Sequence, residues 1–292
     1  MGFRSPQART EYDRAYQAGL RALPEPDEIH DVPTKFGLVR AYRFGQAEGA
    51  PMVLLPGRAG TAVMWRPNIE AFARRHPVYA VDLLGEPGRS TQTASIRDAS
   101  DQAAWLDAVL AALGLTGVHL VGVSFGGWLA CNLAVRSPAR VASCSLLDPV
   151  ATLAGFPAML LLRTTLTLLP VISRWARPAF LSWISGGIEV PKDDPVAKVI
   201  NAGIRDFSIA LPTPKPFTDE QLRSIRVPVL AIIAGRSVIH NPSAAHARAA
   251  LIPHVQAELW PTATHAISGE CAAEVNERVL RFIASTQASS KH

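Results

Sequence analysis

Short apolar runs alternate with helical patterns along most of the chain, and this alternation limits the folds open to it. The runs are typical of strands buried on both faces of a sheet. They occupy residues 52–55, 78–81, 119–123, 141–147, 229–234 and 257–260. Helical patterns lie near residues 64–75, 99–113, 126–136, 243–251 and 269–284. Strands that alternate with helices predict an α/β fold with a mostly parallel central sheet flanked by helices.

The alternation breaks from about residue 151 to residue 217, where leucine and tryptophan are frequent and prolines close the segment. We expect an inserted helical cap at residues 151–217 and a core made of residues 1–150 and 218–292. A membrane span is the competing interpretation, but a spanning helix needs ~20 consecutive apolar residues. The apolar run is interrupted well before that length, at Arg163, Pro170, Arg174 and Arg177.

The chain before the first apolar run is mostly polar. A helix is predicted near residues 7–22, prolines within residues 24–26 indicate a linker, and residues 35–44 are typical of an early strand or hairpin. Residues 1–13 lack the apolar segment of a signal peptide, so the expected compartment is the cytoplasm.

The composition excludes several classes of protein. With 292 residues and 48% hydrophobic content, the chain can bury a large core. Cys131, Cys144 and Cys271 show no Cys-x-x-Cys spacing, so neither a disulfide framework nor a zinc site is expected. The net charge is +5, but no block of Lys and Arg with interleaved aromatics occurs, so nucleic acid is not an expected partner. The sequence indicates no particular oligomeric state.

One strand-to-helix junction carries a small-x-Ser-x-small turn, Gly122-Val123-Ser124-Phe125-Gly126. In such an elbow the serine sits at a sharp corner, and the flanking glycines are needed because a Cβ would collide with the neighbouring turn. Ser124 is therefore a candidate nucleophile. The same residues could also form an ordinary glycine-rich turn, so the motif alone does not decide.

A serine hydroxyl needs a base within hydrogen-bonding reach before it can attack a carbonyl carbon. His265 is the best placed of the eight histidines, because it follows the last predicted strand directly. Loops after parallel strands lie at the carboxyl edge of the sheet, where the elbow also opens. His119 lies within a predicted strand, and His246 and His254 flank a helix, so ordinary core or surface positions are expected for these three.

Four segments make the chain resemble the α/β-hydrolase superfamily over nearly its whole length. They are the elbow, Leu54-Leu55-Pro56-Gly57-Arg58, Asp82-Leu83-Leu84-Gly85-Glu86-Pro87-Gly88-Arg89-Ser90 and Thr264-His265. The segment at 54–58 resembles the family's His-Gly-x loop after the third strand, and the segment at 82–90 is similar to its Asp-Leu-x-Gly-x-Gly-x-Ser motif. The resemblance implies an α/β-hydrolase fold in which Ser124 attacks the substrate and His265 transfers the proton.

The resemblance also implies how the rest of the site is built. The backbone N–H groups of Arg58 and Phe125 would form the oxyanion hole, with Pro56 in the place of the family's usual histidine. Asp82 would have a structural role beneath the site. The expected lining of the substrate pocket consists of Trp65, Trp128, Leu162 and Trp183. This chemistry requires no metal or organic cofactor.

The loop that usually carries the acid of the triad has none here, so either the acid has moved or the triad is incomplete. Most family members carry Asp or Glu in the loop after the strand predicted here at residues 229–234. The corresponding loop, residues 235–242, contains no carboxylate and has Ser237 or Asn241 instead. Asp148 ends the strand that follows the elbow helix, and an acid at that position is known in parts of the superfamily. We expect Asp148 to supply the missing carboxylate, although an aspartate before a proline also commonly begins a turn.

These residues predict a serine hydrolase that cleaves a small-molecule ester, thioester or lactone with an apolar moiety through an acyl-enzyme. Three alternatives remain open. A carbon–carbon bond hydrolase or a cofactor-free haloperoxidase-like enzyme of the same fold would use the same residues. A non-catalytic small-molecule binding protein is the third, because the usual acid and the histidine before Gly57 are missing.

Overall fold

The computed structural model describes residues 2–157, 159–160, 179, 182–184, 186–187, 191 and 193–289. Its strands are β1 (Gly2–Phe3), β2 (Glu28–Thr34), β3 (Gly37–Phe44), β4 (Met52–Leu55), β5 (Val78–Val81), β6 (Thr91–Gln92), β7 (Val118–Val123), β8 (Val141–Leu147), β9 (Phe207–Ser208), β10 (Val229–Ala234) and β11 (Val255–Trp260). The central sheet has the order β11-β10-β8-β7-β4-β5-β3-β2, with β6 paired to β3. From β5 to β11 all pairs are parallel, and β3 pairs antiparallel with β2, β5 and β6.

Helices cover both faces of this sheet. The helices in the described part of the chain are α1 (Pro6–Leu20), α2 (Arg66–Ala73), α3 (Ala99–Ala112), α4 (Phe125–Arg136), α5 (Pro195–Asp206), α6 (Asp219–Ser224), α7 (Pro242–Ala249), α8 (Ile267–Glu270) and α9 (Ala272–Ser289), and α5 packs on α1. Helices α3, α4, α6 and α7 pack on one face through residues such as Trp105 and Leu129. Helices α2 and α9 pack on the other through residues such as Phe72 and Phe282. Neighbouring strand residues alternate between the two layers, as Val53 and Leu54 do, which is why the strands are apolar throughout.

The apolar pattern predicted the parallel strands closely, and the predicted α/β fold is confirmed. Strands β4, β5, β8 and β10 have the predicted bounds, and β7 and β11 begin slightly earlier. The early hairpin is where the prediction was incomplete, because β2 begins at Glu28, before the expected residue 35. This edge strand is largely exposed and contains Asp31 and Pro33, so its sequence lacks the strand pattern.

Helix boundaries also differ from the sequence pattern. The last predicted helix, at residues 269–284, is divided into α8 and α9 at Cys271, and the pattern at 64–75 contains a 3-10 turn (Ala62–Trp65) before α2. Residues 161–178 and several shorter parts of the cap predicted at residues 151–217 lie outside the described residues, so its boundaries stay a prediction. No helix among the described residues is long and apolar enough to cross a membrane.

Candidate active site

Ser124 lies at a sharp corner between β7 and α4. Its backbone has φ 53° and ψ −115°, a strained conformation for a residue with a side chain. The two glycines of the elbow are required by close backbone approaches. A Cβ on Gly126 would lie 1.9 Å from the carbonyl oxygen of Leu55, and one on Gly122 would lie 2.2 Å from that of Gly126. The turn therefore presents the serine hydroxyl at the carboxyl edge of the sheet.

Three side chains form a continuous hydrogen-bonded chain at this edge. His265 Nε2 lies 3.0 Å from Ser124 Oγ, and His265 Nδ1 lies 2.6 Å from Asp148 Oδ2. Asp148 is fully buried, whereas the side chain of His265 is 12% exposed. The imidazole of His265 therefore connects the fully buried carboxylate of Asp148 to the partly buried hydroxyl of Ser124.

Sheet order explains why residues so far apart in sequence meet. Strand β8 lies between β7 and β10, and Val123 is in register with Leu147. Ser124 and Asp148 follow these two residues directly and thus emerge side by side. The loop after β11 then carries His265 back over them, held by Thr264, whose N–H and hydroxyl both donate to Glu270.

The carboxylate of Asp148 is surrounded by donors from the loop after β10. Ala234 N–H donates to Oδ1 at 3.0 Å, and the Ser237 hydroxyl donates to Oδ2 at 2.7 Å. Burial by itself would raise the pKa of Asp148, but its contacts with His240 and His265 outweigh burial and hold the pKa well below the usual range. The carboxyl group is therefore ionised at neutral pH. Ser237, one of the two residues that stand where the sequence lacks a carboxylate, thus binds the carboxylate of Asp148.

The loop after β4 is the other backbone segment close to the serine. A Cβ on Gly57 would lie 3.3 Å from the Cβ of Ser124, so this loop passes directly beside the elbow. Glu86 holds the loop: its buried carboxylate accepts from the Arg58 guanidinium at 2.6 Å and from the Ala59 N–H at 3.0 Å. The Arg58 guanidinium also lies over the ring of Phe125, 4.2 Å from its centroid.

Comparison with known proteins places this architecture in a family. The family model of the alpha/beta hydrolase fold matches residues 50–182. The carboxylesterase YbfK of Bacillus subtilis is 31% identical over 97% of each chain, and the uncharacterized carboxylesterase nap of the same species is 31% identical over 93% of this chain and 91% of its own. The chain belongs to the α/β-hydrolase family.

Solved structures agree with this assignment. The crystal structure of carboxylesterase CesB (YbfK) from Bacillus subtilis has a TM-score of 0.87 and 29% identity. That of naproxen esterase from the same species has a TM-score of 0.87 and 30% identity. Each comparison covers 96% of this α/β-hydrolase and 99% of the solved chain.

The residues predicted to line the pocket of this α/β-hydrolase lie in different environments. Trp128 is 4% exposed and stacks on Phe125 with ring centroids 5.7 Å apart. Trp65 is fully buried in the apolar layer beside α2. Trp183 is half-buried, and Leu162 lies outside the described residues. Lining of the pocket by these four residues stays a prediction.

Two polar groups of the site have no clear signal in the sequence. Glu86 lies within the motif that resembles the family's Asp-Leu-x-Gly-x-Gly-x-Ser, but a carboxylate there could equally face solvent. His240 is buried beside Asp148, with Nε2 3.0 Å from Oδ1, although the loop pattern around it indicates a surface turn. Only the packing of strand ends reveals that both side chains face inward. Its place within a family motif is the one feature that could have drawn attention to Glu86.

Proposed function

We propose that this chain cleaves carboxylic esters through an acyl-enzyme on Ser124, with His265 as the base and Asp148 as the acid of the triad. The observation that carries the proposal is the hydrogen-bonded chain from Ser124 Oγ through His265 to Asp148. Ester cleavage is the activity named for relatives that match nearly the whole chain. The chain is thus an ester-cleaving serine hydrolase, and the residue roles are the proposal.

The reaction begins when Ser124 Oγ attacks the ester carbonyl carbon and its proton passes to His265 Nε2. The carbonyl oxygen becomes negatively charged and accepts the N–H groups of Phe125 and Arg58. Within the described residues no other hydrogen-bond partner accepts these two N–H groups. Donors already fixed where charge develops cost no reorganisation, which is why such holes lower the barrier.

Collapse of this intermediate releases the alcohol, which takes the proton from His265, and leaves the acyl group on Ser124. Water then attacks the acyl carbon, gives its proton to the same imidazole and releases the acid as Ser124 regains its proton. Throughout, Asp148 keeps His265 in one orientation and stabilises its charged form. No metal or organic cofactor takes part in these steps.

An apolar moiety in the substrate is the other part of the proposal, together with a cap at residues 151–217 that covers it. Two described parts of this segment pack beside the site. A Cβ on Gly186 would lie 2.4 Å from Thr264 Cγ2, next to His265, and Gly203 of α5 packs on Pro87 and Ala59. The exit of the segment is fastened to α4 by the Trp128 indole N–H, which donates to Lys215 O at 3.0 Å.

The test combines labelling with a substrate panel. A fluorophosphonate should add one adduct to the wild-type chain, seen by intact mass, and none to Ser124→Ala. The wild type should also cleave p-nitrophenyl esters of increasing chain length, beside a thioester and a lactone. Labelling that persists in Ser124→Ala would exclude Ser124 as the nucleophile.

The substrate panel also separates the alternatives. A carbon–carbon bond hydrolase would be labelled at Ser124 but would cleave none of the esters at a useful rate, and a haloperoxidase-like enzyme would respond to halide and peroxide. A non-catalytic binding protein would resist labelling. The hydrogen bond between His265 and Asp148 supports an enzyme instead, because it offers the histidine a carboxylate in place of the family's usual acid. The cytoplasmic compartment stays a prediction from the sequence.

The cap is tested through its described tryptophan. Trp183→Ser should change the ratio of kcat/KM between long and short acyl chains, because a polar residue weakens binding of an apolar chain. If only thermal stability changes and the ratio is unaltered, this part of the segment does not contact the substrate.

A further inference from the structure

The carboxylate of Asp148 contacts another imidazole, which the reaction above does not use. His240 Nε2 lies 3.0 Å from Asp148 Oδ1, while His265 binds the other oxygen, Oδ2. The side chains of His240 and Asp148 are both 0% exposed. Water therefore cannot replace either partner, and the contact is a fixed part of the surroundings of Asp148.

The position of the proton on His240 follows from this contact. Within the described part of the chain, neither ring nitrogen has a partner in hydrogen-bond geometry. An unprotonated Nε2 would put a partly negative nitrogen 3.0 Å from a carboxylate oxygen, and the two atoms would repel each other. A proton on Nε2 reverses the sign of the interaction. Of the two neutral forms of the ring, the one with the proton on Nε2 is therefore the more stable beside Asp148.

This proton changes what Asp148 can do for His265. Among the described residues, the other donor to Asp148 Oδ1 is the N–H of Ala234. The partly positive hydrogen on His240 Nε2 offsets part of the negative charge of the carboxylate. The titratable groups that act on this carboxyl are His240 and His265, from the loops after β10 and β11. A partly neutralised carboxylate attracts the proton of His265 less strongly.

We propose that His240 is a positioning residue. It contacts the oxygen of Asp148 that His265 does not contact, and in this way it sets the affinity of His265 for a proton. The inference rests on the proposed function only in treating His265 as the base. An imidazole that must release protons rapidly to a leaving group benefits from a midpoint close to the working pH. His240 would keep the pair of Asp148 and His265 from binding that proton too tightly.

The experiment compares two variants with a control. His240→Gln keeps an N–H at a similar reach but cannot titrate, His240→Leu removes the polar group, and His254→Gln replaces an exposed histidine. For each, kcat and KM are measured against pH on an ester. Ring ¹H–¹⁵N spectra of protein labelled with ¹⁵N-histidine give the titration midpoint of His265 and the proton position on His240 without turnover.

In His240→Leu we expect kcat to fall about tenfold with KM little changed, and the midpoint of His265 to rise by about one pH unit, from the loss of one contact to a charged group. His240→Gln should restore kcat to within about threefold of the wild type, and His254→Gln should match the wild type. If His240 were merely structural, His240→Leu would change the stability of the protein but not the titration midpoint of His265.

Two results would overturn the proposal. One is a folded His240→Leu variant in which the titration midpoint of His265 is unchanged and kcat is within about threefold of the wild type. The other is a wild-type spectrum in which Nε2 of His240 carries no proton, and this decides the matter even if His240→Leu does not fold. If the wild type cleaves no ester but the spectra are as expected, the proposed function fails and the role of His240 stands.

Discussion

At the scale of single residues, backbone strain is concentrated around the site. Ala59, Ser124, Asp148 and Ala151 have positive φ angles although none of them is glycine. Such conformations cost about 1–3 kcal/mol each and persist only where the surrounding structure enforces them. Ser124 and Asp148 end neighbouring strands, and Ala59 lies in the loop held by Glu86. The site thus depends on rigid strand ends rather than on local preference.

Asp148→Asn should lower kcat by at least about a hundredfold, because an uncharged amide neither stabilises the charged imidazole nor fixes its tautomer. The variant keeps the size of the side chain, so circular dichroism should be unchanged. Steady-state kinetics on a p-nitrophenyl ester checks the effect. A folded variant within about threefold of the wild type would show that the acid lies elsewhere or is dispensable.

At the scale of elements, α1 is attached to the sheet by a buried network of polar groups. The Tyr16 hydroxyl donates to Asp82 Oδ2 at 2.6 Å and lies 2.8 Å from the Tyr42 hydroxyl. Asp82 in turn accepts the N–H groups of Ala62 and Arg89, at the start of the 3-10 turn and in the motif loop. Asp82 thus has the structural role expected from the sequence, and α1 shares in it.

Two tyrosines on α1 test this attachment as a matched pair. Both are fully buried, but the Tyr12 hydroxyl has no hydrogen-bond partner among the described residues. Tyr16→Phe should lower the free energy of unfolding by about 2 kcal/mol, because a buried carboxylate loses a donor. Tyr12→Phe should change it by less than about 0.5 kcal/mol. Urea denaturation of both variants measures the difference; equal losses would contradict the assignment.

The buried imidazole of His119, near the start of β7, predicts a dependence of stability on pH. Burial, and next His76, lowers the pKa of His119 to about 4, whereas an unfolded histidine has a pKa of about 6.5. Between these pH values the unfolded chain binds a proton that the folded chain does not. The free energy of unfolding should therefore fall as the pH decreases from about 6.5 to about 4, by up to roughly 3 kcal/mol.

His119→Asn removes this titration, so its stability should vary less with pH in that window than the wild type's. Denaturation at intervals of pH is the measurement, and His254→Asn, at an exposed position, serves as the control. A wild-type slope retained in His119→Asn would assign the acid sensitivity to other groups.

At the scale of the whole molecule, the segment at residues 151–217 and the core meet beside the site. The chain's first residues join this arrangement, since β1 pairs with β9 and the Arg4 N–H donates to Asp206 O. Arg205 also pairs with Glu11 of α1. Residues 205–208 of the segment are thus attached to residues 2–11 of the chain. We expect the contacts between the segment and the loops of the site to affect activity.

Gly186 and Gly187 make this expectation testable. Both have positive φ, 69° and 76°, so alanine carries a similar backbone cost at each, but only at Gly186 would the new Cβ meet Thr264. Gly186→Ala should lower kcat about tenfold by displacing the loop of His265, since small misplacements of catalytic groups cost large factors. Gly187→Ala should not. Equal kinetics of the two variants would show that this contact does not reach the site.

The local sequence determined the strands and the elbow of this protein and singled out His265 as the expected base. A strand buried on both faces must be apolar throughout, as β4, β7 and β10 are, and a corner as tight as that of Ser124 admits only glycine two residues away. Such constraints act within a few residues of the chain, so they can be recognised from the sequence. His265 could be chosen from chain order because it directly follows the last strand.

The tertiary structure decided how the remaining groups of the site meet. Asp148 could be expected from the sequence because it ends a strand, but it contacts His265 because β8 lies between β7 and β10. Sheet order is a product of long-range packing that neither residue's neighbours encode. Glu86 and His240 are polar residues in loops, where sequence indicates exposure, yet both are enclosed. Burial of a polar side chain depends on the partners that the fold brings to it, here Arg58 and Asp148, and those partners are distant in the chain.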